Sequence, residues 1–150
     1  MVLQRIASEV GKGVFAGIGG TVAMTASSTA EMKLRGGKSS TTPAEALCTL
    51  LGVETLGETE KNRLTNLVHW SYGTGLGALR GLIAAGGIRG VKAAALFFGL
   101  VWGGEQLGLP ALKVSPPITE WTGEMIASDV AHHLVYALGT TVGYELIQRG

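Results

Sequence analysis

The sequence predicts an all-α fold in which four transmembrane helices form a bundle. Only 15% of the 150 residues are charged, whereas soluble domains have roughly 25%. Four stretches are almost free of charge, and a hydrocarbon core about 30 Å thick needs roughly 20 such residues per helix. Glycine, with 24 residues, has about twice its usual share, which is typical of closely packed membrane helices. A glycine-rich soluble helical domain is the alternative.

The predicted elements follow these charge-free stretches. The first could be a cleaved signal peptide because Arg5 and Lys12 precede it, but three similar segments follow, which favours a retained span. The third and fourth stretches reach spanning length only when residues 106–112 and the region of His132 are included. The whole chain, 1–150, is therefore predicted to be a single integral membrane domain with helices at about 10–30, 64–87, 91–109 and 127–147.

The polar connection after the first helix contains a helix start. Thr42, Pro43 and Glu45 have the order of an N-cap, a first-turn proline and a capping-box acid, which predicts a short helix over about 43–52. Its apolar face fits a helix lying at the bilayer interface or a lid over the bundle. That face consists of Ala46, Leu47, Leu50 and Leu51.

Small residues recur every four positions on all four long helices. Such a stripe lets the backbone of another helix approach closely, so the helices are predicted to pack through their stripes. Chance recurrence in a glycine-rich chain is the alternative. The stripes contain Gly13 and Gly17 on the first helix, Gly73, Gly77 and Gly81 on the second, Gly99 and Gly103 on the third, and Gly139 and Gly143 on the fourth.

Polar residues are predicted to gather on one side of the bilayer. Antiparallel threading brings the ends of the first and third helices to the starts of the second and fourth, and ionisable groups in lipid are costly unless they pair. At the opposite side, Arg80, Arg89 and Lys92 are expected to reach lipid headgroups. The predicted polar cluster consists of His69, Tyr72, Glu105, Asp129, His133 and Tyr136.

A faint internal repeat accompanies this pattern. His69-Trp-Ser-Tyr72 resembles His133-Leu-Val-Tyr136, and both segments lie near the start of the second helix of a hairpin. Two tandem hairpins would place the two histidines on the same side of the bundle.

Three segments carry a resemblance to a known family: "NLVHWSYGTGLGALRGLI", "GGEQLGLPALKVSPPITEW" and "AHHLVYALGTTVGYELIQR". The chain resembles the YagU-like family of small multi-pass bacterial inner-membrane proteins, a domain of unknown function. The resemblance implies a four-helix protein of the bacterial inner membrane, but no reaction. The chain departs from the family at Ala137, where glycine is expected after the tyrosine, and at Gln106, which weakens the acidic pair expected in the third helix. The resemblance highlights His69, Tyr72, Glu105, Pro110, His133 and Tyr136.

The expected function is non-enzymatic. The chain has no nucleophile elbow, phosphate loop, HExxH or CxxC motif, and Cys48 is its only cysteine. We expect a structural or accessory subunit whose partners are membrane lipid and either further copies of itself or a larger membrane complex. A net charge of +1 with scattered Lys and Arg argues against nucleic acid as a partner. No cofactor is predicted.

Two other functions stay open. Because histidine titrates near pH 6.5, at roughly physiological pH, the polar cluster could handle protons or cations or bind a divalent metal. His69 and His133 could also hold a haem between two helices, although close packing through the glycine stripes leaves little room for it. The simplest alternative is that both histidines are hydrogen-bonded packing residues.

Overall fold

The computed structural model describes residues 1–36, 40–53 and 56–150 and confirms the all-α class within them. No strand occurs in these ranges. A single 3-10 turn, Ile118–Glu120, precedes the last helix. The helices of the described chain are α1 (Val2–Arg35), α2 (Thr42–Leu51), α3 (Glu58–Ala85), α4 (Gly90–Ala111) and α5 (Gly123–Arg149).

Local sequence explains where the helices begin and end. α1 stops at Gly36 and α2 at Gly52, both in the left-handed region with φ of 68° and 64°, which glycine adopts without steric cost. At the start of α5, the Thr122 side chain accepts a hydrogen bond from the Met125 amide. α2 has Thr41 as its N-cap residue, one position before the threonine predicted for that role, and the Thr41 hydroxyl donates to Glu45. The four long helices extend past their predicted bounds, except that α3 ends at Ala85, two residues before its predicted end at 87.

α1 lies between α3 and α5 and runs antiparallel to both. Gly13 approaches Gly81, whereas Gly17, one turn later, approaches Gly73. Towards α5, the C-terminal half of α1 meets the N-terminal half of its neighbour, where Ser27 contacts His132. α4 runs antiparallel to α5 and packs mainly against it and less extensively against α3. The four long helices therefore alternate in direction along the chain.

The small-residue stripes meet at the two faces of α1. A Cβ atom on Gly17 would lie 2.6 Å from the Thr74 carbonyl oxygen, which is closer than any ordinary contact. Gly13, Gly73, Gly77 and Gly81 are equally confined, whereas Gly139 and Gly143 of α5 make looser contacts with α1. The expected packing role of Gly99 and Gly103 is wrong for the described chain. Nothing lies within 4 Å of a Cβ built on either residue, because this face of α4 points away from the neighbouring helices.

Polar groups occupy much of the interior, while large apolar side chains cover the outside. Arg80 and Tyr144 are fully buried, with 0% of their surface exposed, and Tyr136 is 2% exposed. On the outer surface, Phe15 of α1 is 68% exposed and Leu138 of α5 is 54% exposed. None of the described helices combines the length and the apolar character needed to cross a bilayer.

Candidate functional site

A row of polar side chains lines the inward face of α5 from one end to the other. Its residues are spaced by three or four positions, which places them on one side of the helix. Four of them, His133, Tyr136, Thr140 and Tyr144, are buried. We call this row the polar seam, and it consists of Asp129, His133, Tyr136, Thr140, Tyr144 and Gln148.

At one end of the seam, His133 is held by two acceptors. Its Nδ1 lies 2.8 Å from the Asp129 carbonyl oxygen, and its Nε2 lies 2.7 Å from Glu105 Oε2. A carbonyl oxygen can only accept, so Nδ1 carries a proton. The contact between Nε2 and Glu105 then needs a second proton, carried either by an imidazolium or by a carboxylic acid. His133 and Glu105 therefore share one proton that can reside on either partner.

The Asp129 carboxylate connects this pair to α4. Its Oδ2 accepts hydrogen bonds from Trp102 Nε1 at 2.7 Å and from Gln106 Nε2 at 3.3 Å. It also lies 3.6 Å from His133 Nδ1. Because Glu105, Trp102 and Gln106 all belong to α4, the polar contacts fix α4 against α5 at this end of the bundle.

A second histidine joins α5 to α1. His132 Nε2 lies 2.5 Å from Glu31 Oε2, and its Nδ1 lies 2.8 Å from the Ser27 hydroxyl. Hydrogen bonds from Ser128 and His132, together with the charge of Arg35, hold the pKa of Glu31 below its ordinary value. With the His133 contacts, these groups form the histidine cluster, which consists of Glu31, Glu105, Asp129, His132 and His133.

The structure brings together only part of the predicted polar cluster. Glu105, Asp129 and His133 are in contact, and Tyr136 lies one turn further along the seam, where its hydroxyl donates to the Gly73 carbonyl at 2.5 Å. Among the described residues, His69 forms no ion pair with a carboxylate, and its Nε2 lies 3.0 Å from Thr25 Oγ1. Tyr72 is 52% exposed, so it does not belong to the interior cluster. This exposure also distinguishes Tyr72 from Tyr136, its counterpart in the proposed repeat.

At the other end of the bundle, Arg80 is inside rather than at a lipid interface. Its Nη2 donates to Glu145 Oε1 at 2.8 Å, and its guanidinium carbon lies 4.1 Å from the centre of the Tyr144 ring. The expected headgroup contact is therefore wrong for Arg80, because α5 supplies both a carboxylate and an aromatic face beside it. Arg89 and Lys92, the other two residues of that prediction, are exposed.

Glu9 completes this second group, and sequence reasoning missed it. The Tyr144 hydroxyl and the Gln148 amide both donate to Glu9 Oε2, while Lys12 Nζ donates to Gln148 Oε1 at 2.9 Å. The sequence did indicate that Glu9 points inward, because Glu9 lies one turn before Gly13 and continues the small-residue stripe of α1. We call the group of Glu9, Arg80, Tyr144, Glu145 and Gln148 the arginine cluster.

The chemistry available to these clusters is proton exchange and ion pairing. In the described ranges, no group of three or more His, Cys, Asp or Glu side chains has an arrangement suited to a metal ion. Comparisons with protein-family models, with curated proteins and with solved structures find no match to this chain.

Proposed function

We propose that the chain is a small, non-enzymatic integral membrane protein, similar to the YagU-like proteins of the bacterial inner membrane. In this proposal the four long helices span the bilayer and pack through small residues, and the protein serves as a structural or accessory subunit. The observation that carries the proposal is the distribution of polarity, with ionisable groups between the helices and large apolar side chains around them.

The outer faces of α1 and α5 favour contact with lipid. Phe15, Ile18 and Val22 are exposed on α1 at helical spacing, and Leu138 and Val142 are exposed on α5. A helix of a soluble bundle has the opposite pattern, with its apolar stripe inward and its charged residues outward. Hydrocarbon around the bundle would cover these side chains, while the buried charges would pair with one another.

The distance between the two polar clusters fits a bilayer. Glu9 and Glu31 lie in the first and last thirds of α1 and are 22 residues apart, which corresponds to about 33 Å at a rise of 1.5 Å per residue. The hydrocarbon core of a typical bilayer is about 30 Å thick. The glycines at the α1–α3 interface and the inward polar groups lower the mean hydropathy of their helices without facing the lipid.

Thiol accessibility in vesicles tests the membrane proposal. With Cys48 replaced by serine, Val22→Cys should not react with a water-soluble maleimide until a denaturing detergent dissolves the vesicles. Leu34→Cys, which is also exposed but lies beyond Glu31, is the matched control and should react when its side of the vesicle is accessible. If Val22→Cys reacts as fast as Leu34→Cys in intact vesicles, the proposal is wrong.

Native mass spectrometry tests the subunit role. Protein released in a gentle detergent should carry either further copies of the chain or a second polypeptide, together with lipid. Stoichiometric mass from a metal or a haem would instead support a cofactor at the histidines. A bare monomer under conditions that preserve known membrane complexes would contradict the subunit role.

Proton handling is the second candidate, favoured by the proton that His133 and Glu105 share. The polar seam extends this pair through Tyr136 and Thr140 towards Tyr144 and the buried Glu9. The Thr140 hydroxyl is buried and has no hydrogen-bond partner among the described residues, so it can accept or donate along such a route. Proton movement along the seam would need these groups to exchange hydrogen bonds in turn.

A flux assay separates the two candidates. Vesicles containing the protein and a pH-sensitive dye should show proton leakage above that of protein-free vesicles if the seam conducts, and Glu105→Gln should abolish it. Glu60→Gln, the same change at an exposed position of α3, is the control and should leave the flux unchanged. A wild-type flux equal to that of protein-free vesicles would exclude this candidate and leave the structural role.

A further inference from the structure

A cavity opens at the end of the bundle that holds the arginine cluster. Its volume is about 200 Å³, enough for several solvent molecules, since a water takes up about 30 Å³ in the liquid. The turn between α3 and α4 forms one wall, and Glu9 of α1 forms another. Two arginines, Arg5 and Arg89, complete the lining, and the side chains of both are exposed.

The available hydrogen-bond donors of this cavity are arginine N–H groups. The amides of Gly86 and Gly87 in the turn already donate to carbonyls of α3. Arg5 donates to the Ala85 carbonyl at 2.8 Å through one nitrogen, which neutralises the partial negative charge at the end of α3. Within the described ranges, arginine side-chain hydrogen bonds come from Arg5, Arg35 and Arg80. No described residue accepts a hydrogen bond from the Arg89 side chain, so within this part of the chain its five N–H donors are available.

Positive charge exceeds negative charge around the cavity. Glu9 lines the cavity, whereas Glu145 pairs with the buried Arg80. Glu145 Oε1 is shared between Arg80 and the Gly90 amide, which lies 3.4 Å away. Nε and Nη1 of Arg80 are buried and have no partner in the described chain, and this guanidinium interacts electrostatically with both Arg89 and Glu9. The ionisable side chains that line the cavity are Arg5, Arg89 and Glu9, which leaves a net charge of +1.

We infer that this cavity binds a phosphate group, held by Arg5 and Arg89 in front of the buried Arg80. Guanidinium groups present parallel N–H donors that match two oxygens of a phosphate, and a phosphate would balance the surplus charge. The buried arginine contributes through the field rather than by contact, because its charge lies in surroundings of low dielectric constant, where electrostatic interactions are stronger than in water. The phosphate could belong to the headgroup of an anionic lipid or could be free in solution. The site does not depend on the membrane proposal.

Two binding measurements on the full chain distinguish these sources. In the first, inorganic phosphate is titrated into the protein in an uncharged detergent and a phosphate-free buffer, and calorimetry measures the heat of binding. The second adds mixtures of phosphatidylglycerol and phosphatidylcholine and measures the retained lipid by native mass spectrometry. Binding of inorganic phosphate indicates a site for the free ion. Selective retention of phosphatidylglycerol without it indicates a lipid headgroup site.

The variant Arg5→Gln/Arg89→Gln tests whether the arginines form the site. Each of the two substitutions removes a charge-assisted hydrogen bond to the phosphate. Affinity for the bound probe should therefore fall about tenfold per arginine and about a hundredfold in the double variant. The control Lys33→Gln/Arg63→Gln removes the same charge from exposed positions at the opposite end and should change affinity less than about twofold. If neither probe binds, or if both double variants bind like the wild type, the inference is overturned. The phosphate titration needs no bilayer, so its result is independent of the maleimide test.

Discussion

Replacing Gly77 by alanine should destabilise the bundle, although alanine is the better helix former. A Cβ atom at Gly77 would meet the backbone of α1 and would lie 2.8 Å from Gly17 Cα, whereas ordinary contacts begin at 3.4 Å. Backbone atoms within a helix cannot rotate away as a side chain can. α1 and α3 would therefore have to separate by at least about 0.6 Å to clear Gly17 Cα, and by more to clear the Gly13 carbonyl oxygen, which lies nearer still.

The cost of that separation exceeds the gain from alanine. A gap of 0.5–1 Å removes roughly a quarter to a half of the attraction between packed atoms, and Gly13, Gly73 and Gly81 share the same interface. Overpacking of a tight core costs about 1–3 kcal/mol, while alanine gains at most about 1 kcal/mol over glycine within a helix. We expect a net loss of about 1–2 kcal/mol of unfolding free energy for Gly77→Ala.

Thermal unfolding in detergent, followed by circular dichroism, measures this effect. Gly75→Ala is the matched control, because Gly75 lies in the same helix and nothing lies within 4 Å of its Cβ position. The control should be unchanged or more stable by up to about 1 kcal/mol. Equal stability of Gly77→Ala and Gly75→Ala would refute the close approach of α1 and α3.

Three further predictions follow from other contacts. Glu145→Gln leaves the buried Arg80 without its carboxylate and should lower the free energy of unfolding, measured by thermal unfolding, by about 3 kcal/mol. Glu124→Gln, which breaks an exposed ion pair, should lower it by less than about 1 kcal/mol. Similar losses of stability in the two variants would contradict the burial of the Arg80–Glu145 pair. Hydrogen bonding from Lys61 and then Thr41 lowers the pKa of Glu45 from its ordinary 4.5, so its stabilisation is complete above pH 4.5 and is lost as the pH falls through the lowered value. Hydrogen exchange of α2 amides should therefore accelerate in that acid range in the wild type but not in Glu45→Gln. Identical profiles would exclude the ion pair between Glu45 of α2 and Lys61 of α3 as the cause. Gly99→Ala should leave the melting temperature the same or higher, because its Cβ position is open; a clear drop would show that another surface covers this face of α4.

Charge-free stretches predicted the four long helices and the four-residue spacing predicted which residues share a face, but neither could predict which faces have neighbours. The stripes of α1 and α3 interlock, whereas Gly99 and Gly103 have the same spacing and lie in the open. A four-residue repeat describes one face of a single helix, and that face can either pack against a neighbouring helix or stay open. The arrangement of α4 beside α5 depends on contacts such as that of Trp102 with Asp129, which no local pattern contains.

The polar groups were predicted in the same partial way. Glu105 and His133 could be placed together because antiparallel threading brings helix ends to the same side. Arg80 was misplaced because its partner, Glu145, follows 65 residues later, and nothing near Arg80 in the sequence indicates a carboxylate. Glu9 was overlooked as a single acid before a long apolar stretch, although its four-residue spacing from Gly13 indicated an inward direction.

The contacts of Glu9 have a consequence for the order of events during synthesis. Its partners Tyr144 and Gln148 lie 135 and 139 residues further along the chain. At about 5–20 residues per second, a ribosome needs roughly 7 to 30 seconds to make that length. During this interval α1 can pair with α3 once that helix, which ends at Ala85, has been made, but the face of α1 that carries the Glu9 carboxylate has no helix to meet. The Glu9 end of α1 therefore stays uncovered until the last helix emerges, and a chain truncated before Tyr144 would leave the Glu9 carboxylate without both of these partners.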